Sequence, residues 1–178
     1  GKHLGAHGAV MVTGSHNPPD YNGFKMVMDN KSFYGEDIQK LGGIMRSGKF
    51  AHGKGRSIRR SVIGAYVRRL MRDAELTRSL SVVWDPGNGA ACNVVGSIAR
   101  HLPGRHIVLN GEIDGTFPAH HPDPTLPETL EQLRSTVLAE GCDLGIAFDG
   151  DGDRLGVIDN RGNILWGDQL MILWSEEI

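Results

Sequence analysis

Three aspartates at alternate positions are the residues in this sequence whose types and spacing best suit chemistry. Asp149, Asp151 and Asp153 lie in the segment FDGDGDR, where glycines separate them. The flanking runs are typical of strands, and the glycines allow the backbone to turn all three carboxylates toward one point. Carboxylate oxygens are the ligands that Mg²⁺ and Ca²⁺ prefer, and three of them close together repel one another unless a cation is present. The spacing therefore predicts a metal-binding loop rather than a solvated acidic turn.

Two other classes of site also place aspartates in this way. An EF-hand loop requires glycine at its sixth position and glutamate at its twelfth, but this sequence has Arg154 and Asn160 there. Its flanks are also predicted to be strands rather than helices, so the EF-hand is rejected. A haloacid-dehalogenase-type phosphatase uses the first aspartate after a strand as its nucleophile and needs no serine loop. That class remains a minor alternative.

A second polar segment, VTGSHNPPDYNGFK at residues 12–25, contains a candidate nucleophile. Ser15 follows an apolar run, and a serine hydroxyl reacts poorly unless a base, a metal ion or prior phosphorylation changes its chemistry. His16 is adjacent and Lys25 lies ten residues further on. Both suit contact with phosphate oxygens or proton transfer. Taken singly, a turn histidine and a solvated lysine are the ordinary interpretations of these two residues.

The charges of the two segments fit each other if Ser15 is phosphorylated. A phosphoryl group carries about −1.5 to −2 charges, so three carboxylates, one divalent cation and this group together retain about −3. Lys25 and Arg154 then offset about two of these charges. A metal ion in this position would stabilise the serine oxygen as a phosphoryl group leaves it. The two segments together therefore favour phosphoryl transfer.

Alternating short strands and helices position both segments. Helices are predicted over residues 35–47, 58–76 and 127–140, and in the segment that follows DPGNGA. The third has Pro127 at its start and Gly141 just past its end. Strands are predicted at GAVMVT (8–13), GFKMVMDN (23–30), LSVVWD (80–85), RHIVLN (105–110) and DLGIAF (143–148), the first of them buried.

Near its end the chain is predicted to form a hairpin that turns at residues 160–162. Asp168 is expected to cap a last helix that runs to the chain end. The whole pattern predicts an α/β fold with mixed sheets flanked by helices.

A segment at residues 47–57, rich in Gly, Lys and Ser, is typical of a linker and suggests a domain boundary. Residues 1–57 are expected to be the C-terminal part of a first domain, with the serine loop. Residues 58–163 are expected to form a second domain, with the acidic loop, and residues 164–178 the start of a third. Because the chain starts at Gly1 without Met, we expect it to be a piece of a longer protein.

Composition excludes several classes of partner. With 178 residues and 39% hydrophobic content, the chain can bury a core. The formal net charge of −2, with both signs interspersed, gives no reason to expect nucleic acid or an anionic membrane as a partner. No apolar run approaches the roughly 20 residues of a membrane span. Cys92 and Cys142 lack zinc or disulfide spacing, which favours a reducing cytoplasm.

TGSHNPPDYNGFK and DGDGDR resemble the phosphoserine loop and the metal loop of the α-D-phosphohexomutases. DPGNGA at residues 85–90 and DGTFPAHHPDP at residues 114–124 are also similar to segments of this family. The resemblance implies an isomerase whose phosphoserine passes its phosphoryl group to the free hydroxyl of a sugar 1- or 6-phosphate. A bisphosphorylated sugar forms, turns round in the site and returns its other phosphoryl group.

The resemblance also implies a role for each candidate residue. Ser15 is the phosphoserine, and the Mg²⁺ ligands are Ser15 and the three aspartates Asp149, Asp151 and Asp153. The residues His16, Lys25 and Arg154 line the site in electrostatic or acid-base roles. The ending YNGFK favours the mannose/glucose branch, and a phosphoglucosamine mutase is the runner-up. A non-catalytic metal-binding module is the alternative from outside the enzymes.

Members of this family have four domains, so the chain is expected to be a fragment of a four-domain phosphohexomutase and inactive by itself. No match occurs to the family's N-terminal arginine loop, its third-domain sugar loop or its fourth-domain phosphate loop. His120 and His121 are assigned to a rigid connecting loop. The turn at Asn88 and Gly89 is assigned to a tight connection rather than to an anion-binding nest. Nothing in the sequence indicates an oligomeric state.

Overall fold

The computed structural model describes residues 1–15, 17–18, 20–74 and 78–175. The chain divides into unit 1, which comprises Gly1–Thr13 and Asp20–Arg60, and unit 2, which comprises Gly14–Pro19 and Ser61–Ile178. Unit 1 contains β1 (Gly8–Thr13), β2 (Gly23–Met28), β3 (Lys31–Phe33) and α1 (Glu36–Ser47). Unit 2 contains α2 (Ile63–Met71), β4 (Leu80–Asp85), α3 (Cys92–His101), β5 (Gly104–Val108), α4 (Glu131–Glu140), β6 (Leu144–Phe148), β7 (Leu155–Asp159), β8 (Ile164–Leu165) and α5 (Gly167–Ser175).

Unit 1 is a three-stranded antiparallel sheet in the order β1-β2-β3, followed by α1. The strands predicted at residues 8–13 and 23–30 are confirmed. β2 ends at Met28 because Asp29 and Asn30 have positive φ angles of 48° and 62° and turn the chain into β3, which was not predicted.

The prediction that β1 is buried is wrong for this chain. Val10 and Val12 are each 62% exposed, and Phe24 on the neighbouring strand is 63% exposed. None of the described residues of unit 1 is buried. A three-stranded sheet with one helix of 12 residues has too little apolar surface to enclose a core of its own.

Unit 2 contains a five-stranded mixed sheet in the order β5-β4-β6-β7-β8. The strands β5, β4 and β6 run parallel, as the predicted βαβ unit requires, and β7 and β8 continue the sheet antiparallel. The carboxyl ends of β4 and β6 therefore lie side by side, with Asp85 paired to Ala147 at that edge. Segments that follow these two strands must meet there.

The core of unit 2 lies between this sheet and α4. Its buried members are Val83, Leu130, Leu133, Val137, Cys142, Ala147 and Ile158. Gly145 on β6 leaves room for the helix, since a Cβ at that position would lie 2.7 Å from Val137 and 2.8 Å from Leu133. The predicted α/β class with mixed sheets and flanking helices is confirmed.

The helices lie where they were predicted, but their first and last residues differ from the predicted ones. The helix predicted over residues 58–76 is α2, which ends at Met71, and part of the predicted range lies outside the described residues. The segment 127–140 begins with a 3-10 turn, Pro127–Leu130, before α4, and Gly141 closes it with a φ of 60°. Within the described ranges no helix is long and apolar enough to cross a bilayer.

The C-terminal hairpin is confirmed, because β8 pairs with β7 around the turn at residues 160–162. This pairing places Ile164 and Leu165 in the sheet of unit 2. The cap predicted for the last helix is wrong: Asp168 lies within the first turn of α5, and the side chain of Gln169 accepts the N–H of Trp166 instead. The three-domain division drawn from the sequence stays a prediction.

Candidate active site

The acidic loop at residues 149–154 connects β6 to β7 and is organised around the carboxylate of Asp149. This side chain has no exposed surface. Its Oδ1 accepts the backbone N–H groups of Asp153 and Arg154, each at 3.0 Å. Gly152, with a φ of 75°, donates its N–H to the carbonyl of Asp149 at 3.1 Å. The loop therefore closes on its own first residue.

The three aspartates meet as the spacing predicts. One carboxylate oxygen from each of Asp149, Asp151 and Asp153 lies within 4.8 Å of the other two, and the residues grade from buried through half-buried to exposed. Among the described residues, Oδ2 of Asp149 accepts one hydrogen bond, from Arg154, so a lone pair remains on that oxygen. Hard oxygen donors at this separation fit a divalent metal ion. These three residues could hold a metal.

Ser15 lies beside this cluster. The loop at residues 14–19 belongs to unit 2, and Oγ of Ser15 donates to Oδ1 of Asp151 at 3.5 Å. The two backbones approach closely, since a Cβ on Gly150 would lie 2.5 Å from the carbonyl oxygen of Ser15. Ser15 itself has a φ of 53°, a left-handed conformation that is uncommon outside glycine. Ser15 therefore lies directly against the acidic loop.

Arg154 joins the acidic loop to the segment that precedes α4. Its Nε donates to Oδ2 of Asp149 at 3.1 Å, and its Nη1 lies 3.6 Å from Oδ1 of Asp123. The buried Nη2 has no acceptor among the described protein atoms. Arg154 therefore offsets part of the negative charge of the cluster.

The other two residues predicted for the site are Lys25 and His16. Lys25 lies on β2 in unit 1, paired in register with Met11, whereas Ser15 and the aspartates belong to unit 2. His16 lies outside the described residues. Their assignment to the site stays a prediction.

A buried ion pair beside this site was missed by the sequence interpretation. The carboxylate of Asp85, at the end of β4, has no exposed surface, and its Oδ2 lies 2.8 Å from Nε2 of His120. Burial raises the pKa of Asp85, but hydrogen bonds from His120, Asn110 and Gly87 outweigh it and leave that pKa below its usual 3.8. His120 therefore does more than complete a connecting loop. An aspartate at the end of a buried strand needs a partner, and this was the available signal.

The turn at residues 86–90 behaves as the tight connection that was predicted. Its backbone N–H groups donate to protein carbonyls: Asn88 to Asn110, Gly89 to Pro86 and Ala90 to Gly150. The φ of Asn88 is 58°, which asparagine tolerates better than most residues. With these donors engaged, the turn offers no nest for an anion.

The chain matches two family models along most of its length. Residues 64–162 match the model described as "Phosphoglucomutase/phosphomannomutase, alpha/beta/alpha domain II", and residues 1–52 match the corresponding "domain I". The chain therefore belongs to the phosphoglucomutase/phosphomannomutase family, the phosphohexomutases that the two loops resemble.

Individual relatives agree with this assignment. The chain is 42% identical over 175 residues, 98% of its length, to a phosphomannomutase/phosphoglucomutase of Pseudomonas putida. It is 38% identical, over 98% of its length, to a probable phosphoglucosamine mutase of Methanothermobacter thermautotrophicus. A crystal structure of a phosphoglucomutase/phosphomannomutase family protein from Burkholderia thailandensis superposes with a TM-score of 0.88 at 43% identity, covering 96% of this chain and 37% of that one. The chain spans 38% and 40% of the two curated relatives.

Proposed function

We propose that this chain supplies the phosphoserine and the metal loop of an enzyme that interconverts hexose 1-phosphate and hexose 6-phosphate. One observation carries the proposal: the hydroxyl oxygen of Ser15 lies 3.5 Å from a carboxylate oxygen of Asp151 within the three-aspartate cluster. A serine beside a site for a divalent cation suits phosphoryl transfer, because a cation held there would neutralise charge that develops on the serine oxygen.

In the proposed reaction, phosphorylated Ser15 gives its phosphoryl group to the free hydroxyl of a sugar monophosphate. The bond between phosphorus and the serine oxygen breaks, and a bond between phosphorus and the sugar oxygen forms. A base takes the proton of the sugar hydroxyl, and the serine oxygen ends protonated. The return step moves the other phosphoryl group of the bisphosphorylated sugar to Ser15 and restores the proton to the sugar.

We assign the residues of the site as follows. Ser15, Asp149, Asp151 and Asp153 would hold Mg²⁺, which supplies Lewis-acid stabilisation of the charge that develops on the serine oxygen. The hydrogen bonds that close the loop on Asp149 hold its carboxylate in position. Such preorganisation lowers the cost of forming the charged site during reaction.

Charge balance supports roles for the basic residues. Arg154 acts electrostatically, because its guanidinium group lies against the carboxylates of Asp149 and Asp123. His16 and Lys25 are the candidates for the proton transfer between sugar and serine. Neither is needed for the metal site itself, so their substitution is expected to affect transfer more than metal affinity.

We propose mannose and/or glucose as the hexose, on the ending YNGFK and on the 42% identity to a phosphomannomutase/phosphoglucomutase. A phosphoglucosamine mutase is the second candidate, supported by the 38% identity to a relative with that name. Cys92 and Cys142 are both buried and unpaired, which supports our proposal that the protein works in the cytoplasm.

The test is intact mass and phosphopeptide mapping of the full-length enzyme proposed here, before and after incubation with Mg²⁺ and mannose 6-phosphate or glucose 6-phosphate. We expect a phosphoryl group on Ser15 that is lost to the sugar. Ser15→Ala should abolish transfer, while the matched control Ser57→Ala, an exposed serine of the linker, should transfer normally. A protein that binds Mg²⁺ but carries no phosphate on Ser15 under any condition would instead be a metal-binding module.

A further inference from the structure

Two other segments of unit 2 lie directly against the acidic loop. The turn at residues 86–90 contacts it through the N–H of Ala90, which donates to the carbonyl of Gly150 at 2.9 Å. Gly89 makes this approach feasible, since a Cβ there would lie 2.7 Å from the same carbonyl oxygen. The segment at residues 120–124 contacts both, because the ring of Pro122 lies beside Gly150 and beside Gly87.

One end of the segment 120–124 is fixed by the pair of Asp85 and His120. Oδ1 of Asp85 accepts the N–H of Gly87 at 3.0 Å and the amide of Asn110 at 2.9 Å, while Oδ2 faces Nε2 of His120. Nδ1 of His120 lies 2.9 Å from the carbonyl of His121. Both ring nitrogens thus face acceptors, an arrangement that favours the doubly protonated, cationic ring. Its hydrogen bond to Asp85 raises the pKa of His120 above the usual 6.5.

The other end is fixed by Asp123. Its Oδ1 accepts the N–H and the hydroxyl of Thr125, at 3.1 Å and 2.7 Å, and lies 3.6 Å from Nη1 of Arg154. Arg154 in turn donates to Oδ2 of Asp149, a carboxylate of the candidate metal site. Two ion pairs therefore link the end of β4, the segment 120–124 and the acidic loop in a continuous chain of contacts.

We propose that residues 120–124 form a brace for the acidic loop, with Asp85, His120 and Asp123 as positioning residues of the metal site. None of the three is among the ligands assigned above; they act through Pro122, Gly150 and Arg154. A metal site on a loop depends on such outer contacts to hold its carboxylates in place, and their loss typically lowers metal affinity about 10- to 100-fold. This inference rests on the proposed function, because it presumes that the loop binds a divalent cation.

The test is Mn²⁺ titration by calorimetry of the purified protein, with the urea midpoint of every variant measured in parallel. His120→Ala removes both the charge and the donor, and we expect Mn²⁺ affinity to fall about 10- to 100-fold. His120→Gln keeps an amide donor near the position of Nε2, and we expect it to restore most of the affinity. His121→Ala is the matched control, because the brace uses only the backbone carbonyl of that exposed residue.

A folded His120→Ala variant that binds Mn²⁺ as tightly as the parent overturns the brace. If His120→Ala does not fold, Asp123→Asn decides the question, since it keeps the acceptor for Thr125 and removes the charge that faces Arg154. Unchanged affinity in that variant overturns the brace as well. If the parent itself binds no Mn²⁺, the proposed function fails and the brace with it, and this outcome is distinct from a variant that matches a binding parent.

Discussion

The close approach of Gly150 to Ser15 allows a sharp test of the catalytic arrangement. Replacing Gly150 with alanine adds one methyl group, and its carbon would lie 2.5 Å from the carbonyl oxygen of Ser15. Gly150 is not among the residues with positive φ, so alanine fits its backbone conformation and the effect is purely steric. To reach an ordinary contact distance of 3.4 Å, the two backbones must separate by about 0.9 Å.

The serine loop is the partner that should yield. Gly150 is held from its other side by the hydrogen bond from Ala90 and by the close contact with Gly89. Ser15 would therefore move away from Asp151, from a hydroxyl-to-carboxylate distance that is already 3.5 Å. A misplacement of about 1 Å between reacting groups can cost about 100-fold in rate. The carboxylates stay in place, so metal affinity should change by less than about 10-fold.

The assay is the Mg²⁺-dependent transfer of phosphate between Ser15 and glucose 6-phosphate in the full-length enzyme, followed by rapid quench. We expect Gly150→Ala to slow transfer about 100-fold while Mn²⁺ titration remains near the parent value. Gly115→Ala is the control, because a Cβ there meets nothing within 4 Å. Transfer by Gly150→Ala at the rate of Gly115→Ala would refute the inference that this contact positions Ser15.

Three further changes test other parts of the structure. Asp151→Asn should weaken metal binding and slow phosphoryl transfer together, and unchanged affinity in a Mn²⁺ titration would contradict its role as a ligand. Gly104→Ala should lower the free energy of unfolding of unit 2 by about 3 kcal/mol or more, because Gly104 has a φ of 119° and a Cβ would lie 2.0 Å from the carbonyl oxygen of Leu80; urea unfolding checks this. The charged His120 stabilises the fold fully below pH 6.5, and this contribution is lost as pH rises through its raised pKa. Urea midpoints measured across that range should decline for the parent, and a decline of the same size in His120→Gln would contradict the ion pair with Asp85.

Local patterns in the sequence were enough to predict most strands and helices of both units. The alternation of glycine with aspartate at residues 149–153 identified the acidic loop, because the whole pattern lies within five consecutive residues. β3 was missed, since three residues carry too little periodicity to be recognised. The exposure of β1 was also missed, because burial depends on what covers a strand rather than on its own apolar residues.

The contacts around the site could not be predicted from local patterns in the sequence. Asp85 and His120 are 35 residues apart, and they meet because the segment that follows β5 returns to the carboxyl end of β4. The spacing predicted Asp149 as a ligand, but its bonds to the loop's own N–H groups depend on the folded turn. Pairings of this kind are set by the sheet order, which no local pattern encodes.

The antiparallel pairing of β6 with β7 also fixes how many residues the acidic loop can contain. Phe148 and Leu155, the residues on either side of the loop, pair with each other. Gly145 pairs with Ile158 on the face of the sheet that α4 covers. Because side chains alternate between faces, an insertion or deletion of one residue that shifted β7 in register would turn fully buried Ile158 to the opposite face. A change in loop length must therefore either distort the three aspartates or disrupt the core. The packing of Ile158 in the core of unit 2 therefore constrains the length of the acidic loop, independently of any selection on the chemistry.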